Sequence, residues 1–229
     1  MSRLPLQLVV FDLDDTLYPE RQFVRSGYTA VARHLRETLD RNEAFEDWLW
    51  QRFEAGRYAG AFDALNKQFS LGLSHEDIVA CVNVYRLHTP PAIEPYNGMA
   101  ALLDRLAGQY RLGIISDGPS RTQRQKLAAT GLADYFDEVL ISCDFEPPAG
   151  KPDATMYELI AQRLRVPHRA CAYVGDNPSK DFLAPNTLGW RTLHYLRPQQ
   201  VHAPKPPPTD GQPQVTVRTD AELLAALDT

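Results

Sequence analysis

The stretch VVFDLDDTLYP, residues 9–19, indicates both the fold and the chemistry of this chain. It continues an apolar run that begins at residue 6 and is typical of a strand buried on both faces. Three carboxylates follow within four positions, those of Asp12, Asp14 and Asp15. Because carboxylates repel one another, such a cluster at the end of a buried strand calls for a cation.

The composition is that of a globular chain without an obvious polyanionic partner. With 229 residues, 44% of them hydrophobic, the chain can bury a core without disulfides or a structural metal. The cysteines, Cys81, Cys143 and Cys171, are odd in number and scattered, which favours reduced thiols. The net charge of −5 and the lack of a long apolar segment or signal peptide predict a cytoplasmic protein. We therefore expect no nucleic-acid or membrane partner, and a monomer or homodimer.

Strand-like runs alternate with helical segments in the second half of the chain. Four such runs cover residues 110–116, 137–142, 170–175 and 190–196, and a short strand and helix are expected within 215–227. We expect Asp153 to cap the helix at 153–164. This alternation predicts an α/β fold, a Rossmann-like three-layer core around a parallel sheet with right-handed crossovers.

Residues from about 20 to 90 show helical periodicity and no convincing strand. Small and apolar residues there share one face of a predicted helix: Phe23, Gly27, Ala30, Val31 and Leu35. Because prolines and a glycine end this block, we predict an α/β core at 1–18 and 92–229 with an inserted helical cap at 19–91. The proline-rich segment 203–213 is expected to be an extended loop.

Unusual polar residues follow the predicted strands. In a parallel sheet, ligands bind outside the carboxyl ends of the strands. The residues expected at that rim, besides the first cluster, are Ser116, Asp117, Gly118, Lys151, Asp176 and Asp181. Each alone is typical of an ordinary turn or surface position, but together they bring carboxylates, a hydroxyl and an ammonium to one place. All-oxygen ligation of this kind suits Mg²⁺.

Four short motifs occur in a fixed order: DLDDT (12–16), IISDG with Ser116, GKPD with Lys151, and GDNPSKD (175–181). In this order and strand context the chain resembles hydrolases of the haloacid dehalogenase superfamily, of the phosphatase type with a helical cap inserted after the first motif. Asp15 stands where that family frequently has glycine, and we expect its side chain to face solvent.

The resemblance implies roles for the first and third motifs. Asp12 would be the nucleophile that forms an aspartyl-phosphate. Asp14 would be the general acid and later the base, a role that a raised pKa would assist. Thr16 would brace the loop by hydrogen bonding and contribute to the substrate site, and Lys151 would neutralise charge between nucleophile and phosphate.

The resemblance also implies phosphate and metal ligands. Ser116 would hold phosphate oxygens together with backbone N–H groups of Asp117 and Gly118. Mg²⁺ would be bound by a set of oxygen ligands: Asp12, the backbone carbonyl of Asp14, and Asp176, with Asp181 supporting them through water.

These implications favour a Mg²⁺-dependent phosphatase acting on a small phosphorylated metabolite, a nucleotide or a sugar phosphate. A phosphomutase or phosphotransferase of the same superfamily stays open, as does a non-catalytic phosphate-binding module. A dehalogenase needs neither Asp14 nor Mg²⁺, and a phosphonate hydrolase needs a cap lysine, for which the cap block offers Lys67 alone. Tyr18, Arg21 and Arg25 are the candidates for facing the substrate, and an ordinary surface or core role stays open for each of them.

Overall fold

The computed structural model of the chain describes residues 4–201 and 205–228, so residues 203 and 204 of the predicted proline-rich loop lie outside it. The chain divides into two compact units. The first consists of Met1–Arg21 with Ala92–Thr229, and the second of Gln22–Pro91. Within the described ranges, no helix has both the length and the apolar character needed to cross a bilayer.

The first unit contains a six-stranded sheet in which every neighbouring pair is parallel. Its strands are β1 (Leu8–Phe11), β2 (Arg111–Ser116), β3 (Glu138–Ile141), β4 (Cys171–Gly175), β5 (Arg191–Tyr195) and β6 (Val215–Val217). The spatial order is β3-β2-β1-β4-β5-β6. The predicted α/β fold with a parallel sheet is confirmed.

Helices lie in most of the segments between the strands. After β1 come α1 (Arg21–Leu39), α2 (Phe45–Glu54), α3 (Ala61–Phe69) and α4 (His75–Leu87). The remaining helices are α5 (Met99–Ala107), α6 (Ser120–Thr130), α7 (Thr155–Arg163), α8 (Leu183–Thr187) and α9 (Asp220–Leu227).

The prediction that Asp153 is the N-cap residue of α7 is wrong, because Ala154 is the N-cap and makes no side-chain capping bond. Asp153 instead accepts a hydrogen bond from the Thr155 N–H at 2.7 Å.

The core lies around the central strands. All four residues of β1 are fully buried, as their uninterrupted apolar sequence predicts. Beside β4, the ring of Tyr157 packs edge-on against Tyr173 and Trp190, with centroids 5.1 and 5.7 Å apart. Truncating a large aromatic side chain in such a core typically costs about 3–5 kcal/mol of stability.

The strand order determines where the polar rim forms. Chain connections run outward on both sides of the β1–β4 pair, which is the switch point at which doubly wound sheets bind ligands. Phe11 lies level with Ile114 of β2 and Val174 of β4. Asp12 follows one position after this level, and Ser116 and Asp176 follow two positions after it, so all three lie at one edge of the sheet.

In the second unit, all of the regular secondary structure is helical. The predicted apolar face of α1 is buried, with Val31 and Leu35 at most 1% exposed. Gly27 permits a close approach between helices, since a Cβ there would lie 2.5 Å from the Tyr85 ring of α4. Helix α4 begins with a capping box between Ser74 and Asp77, which satisfies two of its free N–H groups.

Candidate active site

A buried ammonium lies at the centre of the rim. The Nζ atom of Lys151 is 2.5 Å from Oδ1 of Asp12, 2.9 Å from Oδ1 of Asp181 and 3.1 Å from the Tyr173 hydroxyl. The second oxygen of Asp181 accepts a hydrogen bond from the Asn177 N–H at 2.8 Å. Both oxygens of Asp181 are thus engaged within the chain, which suits the supporting part predicted for it.

Three carboxylates converge beside this lysine. One oxygen each from Asp12, Asp176 and Asp181 lies within 4.8 Å of the other two. Burial, opposed by Lys151 and reinforced by Asp181, raises the pKa of Asp12 to about 6. Burial and then the charges of Asp181 and Asp12 raise the pKa of Asp176 well above its usual range. The charges of Lys151 and Lys180 do not offset the desolvation of these carboxylates, since the pKa values of Asp12 and Asp176 stay raised. A hard divalent cation such as Mg²⁺ fits this set of oxygen ligands.

The carboxylate of Asp14 is surrounded by donors. The hydroxyl of Tyr18 donates to Oδ1, and the amide of Gln123 donates to Oδ2 at 2.9 Å. The ammonium of Lys126 lies 2.9 Å from both oxygens and 3.4 Å from a carboxylate oxygen of Glu20. Residues 13–17 form a turn in which the Leu17 N–H donates a hydrogen bond to the Leu13 carbonyl at 3.1 Å. This turn brings Tyr18 back beside Asp14.

The pKa of Asp14 is not shifted in the direction that would assist a general acid. Burial alone would raise it, but the Lys126 ammonium and the hydrogen bonds from Tyr18, Lys126 and Gln123 outweigh burial, so that the pKa of Asp14 is lowered. These donors stabilise the carboxylate, which is the form that can accept a proton from water.

The second motif forms the adjoining part of the rim. Ser116 is buried, and its hydroxyl accepts a hydrogen bond from the Gln123 amide at 2.6 Å. Asp117 accepts from the Lys151 N–H and from the Lys180 ammonium, each at 3.0 Å. The N–H of Gly118 already donates to the Ser142 hydroxyl at 2.9 Å, so this geometry gives no support to a phosphate contact through that N–H.

Two expectations about the first loop need correction. Asp15 does not face solvent: it is 2% exposed, and its carboxylate accepts hydrogen bonds from the Glu20 and Val201 N–H groups at 2.8 and 2.6 Å. Its φ of 54° explains why glycine suits this position, and the two hydrogen bonds offset the strain for an aspartate. Thr16 is fully buried, but its hydroxyl has no hydrogen-bond partner among the described residues, so the expected bracing bond is absent.

Of the three residues expected to face a substrate, Tyr18 contacts Asp14 as described above. Arg25 belongs to the second unit, where it lies 3.8 Å from the Glu46 carboxylate and 4.7 Å from the centre of the Trp50 ring. Substrate contacts by these residues and by Arg21 stay predictions.

Sequence reasoning missed Gln123, Lys126, Lys180 and Tyr173. A signal existed for the first two, because they lie on the face of α6 that Thr122, Leu127 and Thr130 also bury. A lysine and a glutamine on the core face of a helix need partners. For Lys180 the signal was its place inside the fourth motif.

Comparisons with known proteins agree with this arrangement. A family model described as haloacid dehalogenase-like hydrolase matches residues 6–189. The chain is 26% identical over 226 residues to a glyceraldehyde 3-phosphate phosphatase from Methanopyrus kandleri, covering 96% of each chain. It is 27% identical to the pyrimidine 5′-nucleotidase PynA from Streptococcus pneumoniae, covering 97% of this chain and 95% of that one.

A solved structure shares the fold over the full length. The HAD-hydrolase YfnB from Bacillus subtilis, determined with bound magnesium, superposes with a TM-score of 0.68 and 20% identity, covering 99% of this chain and 100% of that one. A parallel sheet with acidic residues at its switch point, together with the family match, defines a hydrolase. The chain belongs to the haloacid dehalogenase-like hydrolases, as the four motifs predict. The predicted enzyme class, phosphoric monoester hydrolase, agrees with the names of both relatives.

Proposed function

We propose that this protein is a Mg²⁺-dependent phosphatase that hydrolyses a small phosphorylated metabolite through an aspartyl-phosphate on Asp12. The observation that carries the proposal is the pairing of Asp12 with Lys151 beside two further carboxylates, with the separately held Asp14 two residues along the chain. Such an arrangement supplies a nucleophile, charge neutralisation and an acid–base group at one rim.

In the first step, a carboxylate oxygen of Asp12 attacks phosphorus while the bond from phosphorus to the leaving oxygen breaks. This step requires Asp14 in its protonated form, which its surrounding donors disfavour. From that form Asp14 donates its proton to the leaving oxygen, and Ser116 contributes its hydroxyl to a phosphate oxygen. Lys151 reduces the repulsion between the Asp12 carboxylate and the phosphate. Asp12, Asp176 and the backbone carbonyl of Asp14 would hold Mg²⁺, which would further neutralise the phosphoryl charge.

In the second step, Asp14 acts as the base. It takes a proton from a water molecule whose oxygen attacks phosphorus, and the bond between phosphorus and Asp12 breaks. Inorganic phosphate leaves and the Asp12 carboxylate is restored. The donors around Asp14 favour the carboxylate form that this step needs.

The substrate class follows from the relatives rather than from the site. One relative is named for a triose phosphate and another for pyrimidine nucleotides. We therefore propose that the substrate is a phosphate monoester of a sugar or a nucleotide. The inserted helical unit, Gln22–Pro91, is proposed as the cap that selects among such substrates. A phosphotransferase or phosphomutase would use the same first step and pass the phosphoryl group to an alcohol instead of water.

A panel of phosphate monoesters tests the proposal. We expect phosphate release from an aryl phosphate and from at least one sugar phosphate or nucleotide, lost on chelation and restored by Mg²⁺. Asp12→Asn is the matched inactive control. Release that is undiminished in metal-free enzyme would contradict the metal requirement. Transfer to an added alcohol in preference to water would favour the phosphotransferase.

A further inference from the structure

Helix α6 carries two polar side chains one turn apart on its buried face, Gln123 and Lys126. Lys126 is only 4% exposed, and burying an ammonium is costly unless it is paired. Both side chains point at the same carboxylate, that of Asp14, which follows β1 more than a hundred positions earlier in the chain.

The contacts fix this carboxylate from several directions. Oδ1 accepts from Tyr18 and from Lys126, and Oδ2 accepts from Gln123 and from Lys126. A carboxylate with two donors on each oxygen has little freedom to rotate. The position of Asp14 is therefore determined by α6 as well as by its own loop.

The same helix connects two motifs. The Gln123 amide that donates to Asp14 also lies 2.6 Å from the hydroxyl of Ser116. Lys126 has a second carboxylate, Glu20, at 3.4 Å from its Nζ. If Asp14 turns toward a leaving oxygen, Glu20 keeps the ammonium paired.

We propose that Lys126, assisted by Gln123, is a positioning residue for the acid–base work of Asp14. Lys126 orients the Asp14 carboxylate relative to Ser116. When Asp14 moves, the ion pair between Lys126 and Glu20 keeps the ammonium paired. This role rests on the proposed phosphatase function. A misplaced catalytic group typically costs about 10²-fold in rate, so the role predicts a measurable kinetic effect from a residue that need not touch the substrate.

The test compares an alkyl phosphate, whose leaving oxygen needs a proton, with an aryl phosphate, whose leaving oxygen needs little help. We expect Lys126→Met to lower single-turnover phosphoryl transfer from the alkyl phosphate by about 10²-fold, the scale of a misplaced catalytic group, and transfer from the aryl phosphate by clearly less. Lys205→Met, at an exposed position, is the matched control and should leave both rates unchanged.

A double-mutant cycle with Asp14→Asn makes the test specific. If Lys126 acts through Asp14, adding Lys126→Met to Asp14→Asn should change the alkyl rate by less than about twofold. An undiminished further loss in that background would overturn the proposal. So would an equal loss of alkyl and aryl rates in the single variant, because that pattern indicates general disruption of the fold.

Two milder variants keep the test decisive should Lys126→Met not fold. Gln123→Met removes one donor without changing charge, and Lys126→Arg retains a cation. Gln123→Met should lower the alkyl rate selectively, and Lys126→Arg should keep more of that rate than any neutral replacement. An unchanged aryl-to-alkyl ratio in both would overturn the positioning role. A wild type that releases no phosphate with Mg²⁺ would instead remove the proposed function, and this role with it.

Discussion

The ammonium of Lys151 and the carboxylate of Asp12 form a buried ion pair, 2.5 Å between Nζ and Oδ1, although 139 positions separate them in the chain. Parallel pairing of β1 with β2 and of β2 with β3 places the segment after β3, which carries Lys151, at the same carboxyl edge of the sheet as Asp12. The pair joins the predicted nucleophile to the residue predicted to neutralise its phosphate.

Removing this ammonium should affect stability as well as activity. Lys151→Met leaves Asp12 and Asp181 buried without their common partner, and breaking a buried pair in this way typically costs about 3–5 kcal/mol. We expect urea unfolding in metal-free buffer to show a loss of that size, with Lys205→Met as control. An unchanged midpoint and slope in Lys151→Met would show that the pair does not stabilise the fold.

Magnesium should stabilise the protein independently of turnover. A cation relieves the repulsion among Asp12, Asp176 and Asp181, and a ligand that binds only the folded state stabilises it by about 2.7 kcal/mol at 100 times its Kd. Thermal unfolding should therefore shift upward with Mg²⁺. Asp176→Asn should need more Mg²⁺ for the same shift. Equal midpoints with and without Mg²⁺ in the wild type would count against the site.

The helical unit should be sensitive at Gly27. A methyl group there meets the Tyr85 ring at 2.5 Å, and that ring is packed against Tyr28 and Phe62, so it cannot move freely. We expect Gly27→Ala to cost about 1–3 kcal/mol in the free energy of unfolding, as overpacking usually does. Gly108→Ala is the control, because the nearest atom to its added Cβ lies at an ordinary 3.6 Å. Equal stabilities of the two variants would contradict the helix packing.

Thiol reactivity should distinguish the three cysteines. Burial raises the pKa of Cys81 to about 11 and that of Cys171 to about 12, so at pH 8 both are protonated and shielded, whereas Cys143 is exposed. A disulfide reagent should modify one thiol in the native protein and all three in urea. Cys143→Ser should leave the native protein unreactive, and a fast second thiol would show that one of the other two is not buried as described.

The fold could be predicted from sequence because its signals are local. Asp12, Ser116 and Asp176 each stand at the end of a short apolar strand or directly after it, so parallel pairing alone brings these three together. Contacts between distant segments could not be predicted in this way. The sequence predicts Asp15 in solvent because nothing near it in the chain reveals its distant partner. That partner is the N–H of Val201, which donates a hydrogen bond to the Asp15 carboxylate.

The lowered pKa of Asp14 has the same origin. Its donors Gln123 and Lys126 belong to a helix that follows the second motif, and their direction toward Asp14 depends on how α6 packs in the folded unit. Helical periodicity could have identified them as buried polar residues, but not their partner.

The central claim, a covalent phosphoryl group on Asp12, is tested most directly by trapping it. In Asp14→Asn the base of the second step is absent, so an acid-quenched reaction with an aryl phosphate and Mg²⁺ should accumulate phosphoenzyme. We expect intact mass spectrometry to show one added phosphoryl group, mapped by peptide analysis to Asp12, and none in the Asp12→Asn, Asp14→Asn double variant. Phosphate release by the wild type, with no phosphorylated protein detected in Asp14→Asn, would contradict the covalent mechanism. Full turnover in Asp12→Asn would contradict it as well.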